Sequence, residues 1–161
     1  KQILIMVKKE KFYFTDDLDK KILASLEDNS RKSFRKIAKE TGTSTVTVIN
    51  RVERLEKSGV IKKYTVDLNY KKLGFDIIAL ILLKIKTNEE IKNVEEKLMN
   101  AANIIKVFEI SGENDLAVIA AFRNNDELTF FVKRFLLGNL IEKSWTHIIF
   151  DVKEKSITEI L

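Results

Sequence analysis

Apolar positions between residues 18 and 61 recur at the spacing of short amphipathic helices, and beyond residue 74 the period shortens to that of strands. Leu18, Ile22, Leu23 and Leu26 form one stripe of a first helix, which Thr15 or Asp16 can cap and which Asp28, Asn29 and Ser30 end. Ser33 can cap a second, short helix with Ile37 and Ala38 turned inward. Gly42 follows it as the residue that accepts a left-handed turn. Ser44 then caps a third helix that runs to about Ser58 and stops at Gly59. The order is helix, helix, tight turn, helix.

Residues 60–68 alternate partly, with Ile61, Tyr64, Val66 and Leu68, and predict a short strand leading out of the helical unit. Residues 69–74 contain a Lys pair and a Gly and are read as a hinge. The next segments predict a strand over 75–86, then a helix bearing Ile91, Val94 and Leu98 that opens on a Thr87–Glu90 capping box. Strands over 104–110 and 116–122 follow, joined by a turn-rich loop. A helix from Asp126 turns Leu128, Phe131 and Phe135 inward, and a last strand covers 143–152. Strand, helix, strand, strand, helix, strand is the ferredoxin-like βαββαβ order. The predicted class is therefore α+β: an N-terminal (winged) helix-turn-helix domain over 16–61, a strand and hinge over 62–74, and a ferredoxin-like domain over 75–161. Residues 1–15 form an arm, in which 2–7 or 12–14 could add a strand and Met6 could be the natural start. Helices cover one sheet face only, so a partner subunit is expected on the other, with Trp145 packing at that interface.

Charge divides along the same line. Residues 1–74 carry 18 Lys and Arg against 10 Asp and Glu, and residues 75–161 carry 11 against 14, so the halves are +8 and −3. One half is built to attract polyanions. The chain has no Cys, which removes disulfides, thiolate metal sites and a Cys nucleophile. No apolar run approaches the roughly 20 residues that span a bilayer, so the expectation is a cytoplasmic protein with no membrane partner. His147, the one histidine, lies in an alternating strand and reads as structural. No metal set, phosphate-binding Gly loop or nucleophile motif is visible, and neither an enzymatic activity nor a cofactor is expected.

The third helix carries the candidate chemistry. At about 100° per residue Val48, Val52 and Leu55 make a core stripe, with Thr47, Asn50, Arg54 and Lys57 on the far side, Thr45 at the start and Arg51 on the flank. Arg can make two hydrogen bonds to guanine, Asn two to adenine, and Thr can meet a thymine methyl or a phosphate. The amides near Ser44 can hold a phosphate. Arg31, Lys32, Arg35, Lys36 and Lys39 would flank the same groove and meet the backbone of double-stranded DNA. The bland alternative is a solvated helix face, salt-bridged through Glu53 or Glu56.

These residues also carry a resemblance. Leu18-Asp19-Lys20-Lys21-Ile22-Leu23, Asp28-Asn29-Ser30-Arg31, Ile37-Ala38, Gly42-Thr43-Ser44, Arg51-Val52 and Arg54-Leu55-Glu56-Lys57-Ser58-Gly59-Val60-Ile61, in this order and spacing, resemble the amino-terminal domain of the leucine-responsive regulator (Lrp/AsnC) family. The resemblance extends over nearly all of the chain after about Asp16. It implies a transcription regulator that works as a homodimer or higher homo-oligomer. Its carboxy-terminal ferredoxin-like (RAM) domain would bind small metabolites, chiefly amino acids, between subunits. Gly112-Glu113-Asn114-Asp115 is similar to the family's G-x-x-D loop, and Thr146 falls near the family's Thr in the last strand. An ordinary hairpin turn explains Gly112 to Asp115 equally well.

Two other classes fit less well. Sirohaem-type decarboxylases share this two-domain plan, but one His and no Cys offer a poor catalytic set. A base-stacking RNA platform needs aromatics on the middle strands, whereas 116–121 is aliphatic.

Overall fold

The computed structural model describes residues 13–136, 139–153 and 155–156. Residues 2–7 of the arm lie outside them.

The helical unit begins with reciprocal capping. Helix α1 (Asp17–Asp28) starts where the Asp16 carboxylate accepts the Asp19 amide and the Asp19 carboxylate accepts the Asp16 amide, satisfying two backbone donors that an open helix end would leave unpaired. Helix α2 (Phe34–Thr41) is capped by Ser33 and closes on Gly42, whose φ of 70° lies in the left-handed region. Helix α3 (Thr45–Lys57) is capped by Ser44. Ile22, Leu26, Ile37, Ala38, Val48 and Val52 form one buried cluster, with Leu18, Phe34 and Ile61 packed on it.

The strand expected over 60–68 is not formed: no ladder partner for it exists among the described residues. Past Ile61, which packs on the helical core, its apolar side chains point to solvent, Val66 at 72% and Tyr64 at 48% exposure, although the Tyr64 hydroxyl is held by Glu56 Oε1 at 2.8 Å. A strand needs a neighbour to accept its amides, and the described residues offer none here. The expected hinge becomes a 3₁₀ turn, Lys71–Leu73, closed by Gly74.

The sheet unit contains β1 (Ile77–Ile85), α4 (Ile91–Met99), β2 (Ile104–Glu109), β3 (Leu116–Phe122), α5 (Asn125–Phe131) and β4 (Ile141–Ile148). The strand order is β2-β3-β1-β4, with every neighbouring pair antiparallel. Ala79, Ile81, Leu83 and Ile85 alternate inward along β1 and meet Val94 and Leu98 of α4 and Phe131 of α5. Phe131 lies between Phe122 and Phe135, with ring centroids 5.4 and 4.9 Å away. Three local expectations change. Thr87 makes no capping bond; a 3₁₀ turn, Asn88–Glu90, leads into α4 instead. Asn124, not a later residue, caps α5, which continues as a π-helical turn over Val132–Leu136. Strand β4 is displaced towards the N-terminus because its ladder with β1 begins at Ile141 and ends at Ile148.

By contact density the chain divides into two units, with the boundary between Asp67 and Leu68. Lys155 and Ser156 belong to the helical unit, where the Ser156 hydroxyl donates to the Glu27 carboxylate.

Candidate nucleic-acid interface

Helix α3 is fixed from beneath by Val48, Val52 and Leu55, which are essentially inaccessible to solvent. At its start the Ser44 hydroxyl accepts the Thr47 amide at 3.0 Å and lies 2.8 Å from the Thr47 hydroxyl, so Thr47 spends part of its hydrogen-bonding capacity on the cap. Thr45 and Thr47 are half-buried. Opposite the core stripe, positions 46, 50, 53 and 57 recur at helical spacing, and Val46, Asn50, Glu53 and Lys57 are all exposed. Among the described residues no neighbour engages the Asn50 amide. Lys57 is drawn towards Glu53 at 3.5 Å, an exposed pair one turn apart. Val46 is 66% exposed on this face, and the helical spacing that selects Asn50 selects it too; its apolar side chain hides it from a search for polar groups.

Arg51 and Arg54 are placed differently from the groove-facing position expected of them. The Asp19 carboxylate is fully buried and accepts from Arg51 Nη1 at 3.1 Å and from Arg54 Nη2 at 3.0 Å. Arg51 also pairs with Asp16, and the Arg54 guanidinium lies 5.5 Å from the centre of the Tyr13 ring. Both arginines therefore tie α3 to the start of α1. The amide of Asp19 and then the Arg51 guanidinium hold the Asp16 carboxyl below its ordinary range, and Asp16 in turn raises Arg51. Lys32 is likewise internal: its side chain is 10% exposed and its ammonium sits 3.1 Å from Asp28 and 3.2 Å from Glu40. The Ser25 hydroxyl, donating at 2.8 Å, and then Lys32 lower the Glu40 carboxyl. Arg31, Arg35, Lys36 and Lys39 remain on the surface around α2. A clasp between residues more than 30 positions apart has no local signature, which is why the sequence pattern does not separate Arg51 and Arg54 from Asn50.

In the sheet unit the loop Gly112 to Asp115 is a tight connection, with Gly112 at φ 120°. The Asp115 carboxylate accepts from Lys84 Nζ at 3.0 Å and from the Ile85 amide at 2.8 Å, and its own amide donates to Leu83. Asp115 thus staples the loop to the end of β1. Glu113 is exposed, and Asn114 Oδ1 is buried without a hydrogen-bond partner among the described residues. Thr146 pairs with Ile81 on the far side of β1 from β3. Within one chain the sheet order therefore separates Thr146 from the loop by two strand spacings, on the order of 10 Å. No group of acidic, His or Cys side chains suited to a metal ion occurs among the described residues.

Three short helices with a tight turn before the third, followed by a four-stranded antiparallel sheet with two helices, define the class of a helix-turn-helix protein with a second, α+β domain. The comparisons agree with this class. Residues 16–56 match the AsnC-type helix-turn-helix domain and residues 78–157 the Lrp/AsnC ligand binding domain. An uncharacterized HTH-type transcriptional regulator of Pyrococcus abyssi is 38% identical over 137 residues, which cover 85% of this chain and 92% of the relative. The fold is that of E. coli AsnC, with a TM-score of 0.82 at 24% identity over 91% of this chain and 99% of that one. A transcriptional regulator from Neisseria meningitidis, solved as an L-Met complex, superposes with a TM-score of 0.82 at 20% identity, covering 90% and 96%. The chain belongs to the Lrp/AsnC family of DNA-binding transcriptional regulators. Among the described residues no helix is long and apolar enough to cross a membrane.

Proposed function

We propose that the chain reads double-stranded DNA as a homodimer or larger assembly, with the exposed face of α3 in the major groove and the exposed cations of α2 on the phosphates. The observation that carries this reading is the unengaged, exposed Asn50 amide on the face opposite the α3 core. Ser44, Thr45 and Thr47 stand beside it at the helix start, Lys57 lies at the far end, and Arg31, Arg35 and Lys36 supply the surrounding charge. Arg51, Arg54 and Lys32 act one step back in this reading, holding the helices at a fixed mutual angle so that the reader arrives preformed. Two copies are favoured by the sheet face away from α4 and α5, where Phe108, Ala117, Leu82 and Trp145 are consecutive cross-strand partners and form one row. A two-fold pair of readers would address a palindromic site.

The same reading gives the sheet unit an amino-acid effector. The loop Gly112 to Asp115 supports it, with its close backbone and the unsatisfied Asn114 oxygen, and the neighbouring L-Met complex is its analogue. Because β1 separates the loop from Thr146 within a chain, a site using both would draw them from different subunits. Mobility-shift titration on sites selected from fragmented genomic DNA, with and without an amino-acid mixture, tests both parts. Selection of a symmetric sequence is expected, with affinity that changes when the mixture is added. Binding indifferent to sequence would refute the role of α3, and indifference to every amino acid would refute the effector.

A further inference from the structure

Val46 is the conspicuous residue on the α3 outer face, and nothing among the described residues accounts for it. It is 66% exposed, on a stripe otherwise made of Asn50, Glu53 and Lys57. Its side chain adds nothing to the core, which Val48, Val52 and Leu55 already fill from the opposite side. As a β-branched residue it also favours the helix less than alanine would. A valine side chain cannot bond a phosphate or a polar base edge. The major groove offers it one complementary feature, the C5-methyl group of thymine.

We propose that Val46 is a specificity-determining residue that packs on a thymine methyl beside the adenine read by Asn50. The assignment rests on the reading of α3 as the groove helix. Positions four apart on a helix have Cβ atoms about 5–6 Å apart. Successive bases on one strand are separated by about 3.4 Å along the duplex, so Val46 and Asn50 address neighbouring base pairs. The half-site therefore carries an A·T-rich step, with its thymine methyl under the first turn of α3. The exposed Ser44 and the half-buried Thr45 at the same turn border the contact, and their hydroxyls can reach the adjoining phosphate.

Replacing thymine by deoxyuracil removes the methyl and leaves the base pair intact, which makes the test specific. The full chain is first used to select its preferred DNA. Each thymine of that site is then replaced in turn by uracil, and binding of wild type and of Val46→Ala is titrated. Uracil at one position per half-site is expected to weaken the wild type about fourfold, the value of burying one methyl-sized group. Val46→Ala is expected to bind the thymine site more weakly and to show less than a twofold response to that uracil. Val46 is exposed and alanine favours helix, so the variant keeps its thermal midpoint. Wild-type binding unchanged by uracil at every position overturns the assignment, as does a Val46→Ala chain that keeps the full uracil response. A wild-type chain that selects no preferred sequence overturns the reading of α3 itself, and this assignment with it.

Discussion

The outward faces of the two units are opposite in kind. On the helical unit, α3 and α2 expose amide, hydroxyl and cationic groups around a single valine, a surface that water solvates well until a polyanion displaces it. On the sheet unit the face away from the helices carries Leu82 and Ala117, with Trp145 at 37% and Phe108 at 46% exposure at its edges. Such a surface is poorly solvated and gains by being covered. The first surface suits a nucleic acid, and the second suits the further copy of the chain proposed above. The internal chemistry runs in parallel. Asp19 and Asp115 each collect donors from another element and spend their charge on holding the fold.

The contrast can be broken most severely on the sheet. Trp145→Asp places a charge in the apolar row without touching the core, and dissociation of the assembly by two or more orders of magnitude is expected in sedimentation experiments. Operator affinity should fall with it, because two linked readers become two separate ones. Next in size is Asn50→Ala, expected to lose about 10–100-fold on the selected sequence through the missing pair of bonds to adenine, with random DNA bound as before. Asp19→Asn probes the clasp. It leaves two guanidinium groups without their shared counter-charge, and a loss of about 1–3 kcal/mol in denaturant unfolding of the helical unit is expected, with the sheet unit unaffected. The smallest effect is electrostatic: Lys36→Ala should reduce the slope of log affinity against log salt by about 1, uniformly across sequences.

Acid should act on the helical unit through two depressed carboxyls. Asp16, held down by the Asp19 amide and Arg51, and Glu40, held down by Ser25 and Lys32, have ordinary values of 3.8 and 4.5. As pH falls through that range the unfolded chain binds protons before the folded one does. The stability these groups provide is present above their ordinary values and is lost as pH drops through the lower folded ones. A thermal midpoint that declines below about pH 4.5, with a shallower decline in an Asp16→Asn, Glu40→Gln chain, is the expected record.

What was legible in the sequence was local. The Ser33 and Ser44 caps, the Gly42 turn, the core stripe Val48, Val52 and Leu55, and strand β3 with both its ends follow from periodicity and from side chains acting on amides three residues away. The capping potential of Thr87 was equally local and still did not form, since the chain entered α4 through a 3₁₀ turn. The segment after α3 alternates as a strand does, but alternation describes a surface and not a neighbour. For the candidate site, helical spacing selects Asn50 as an outward polar residue, which is exposed, and the same spacing selects Val46.

The sequence by itself determined the three helices, the βαββαβ order after them, the two-domain plan and the charge division between the halves, because each is set by spacing and composition. Tertiary structure alone decided that Arg51 and Arg54 turn to Asp19, that Lys32 sits between Asp28 and Glu40, that Asp115 binds the end of β1, and that Thr146 lies across the sheet from the loop. An ion pair between elements depends on where those elements meet, and side chains of the same type stay exposed or become fasteners according to that meeting.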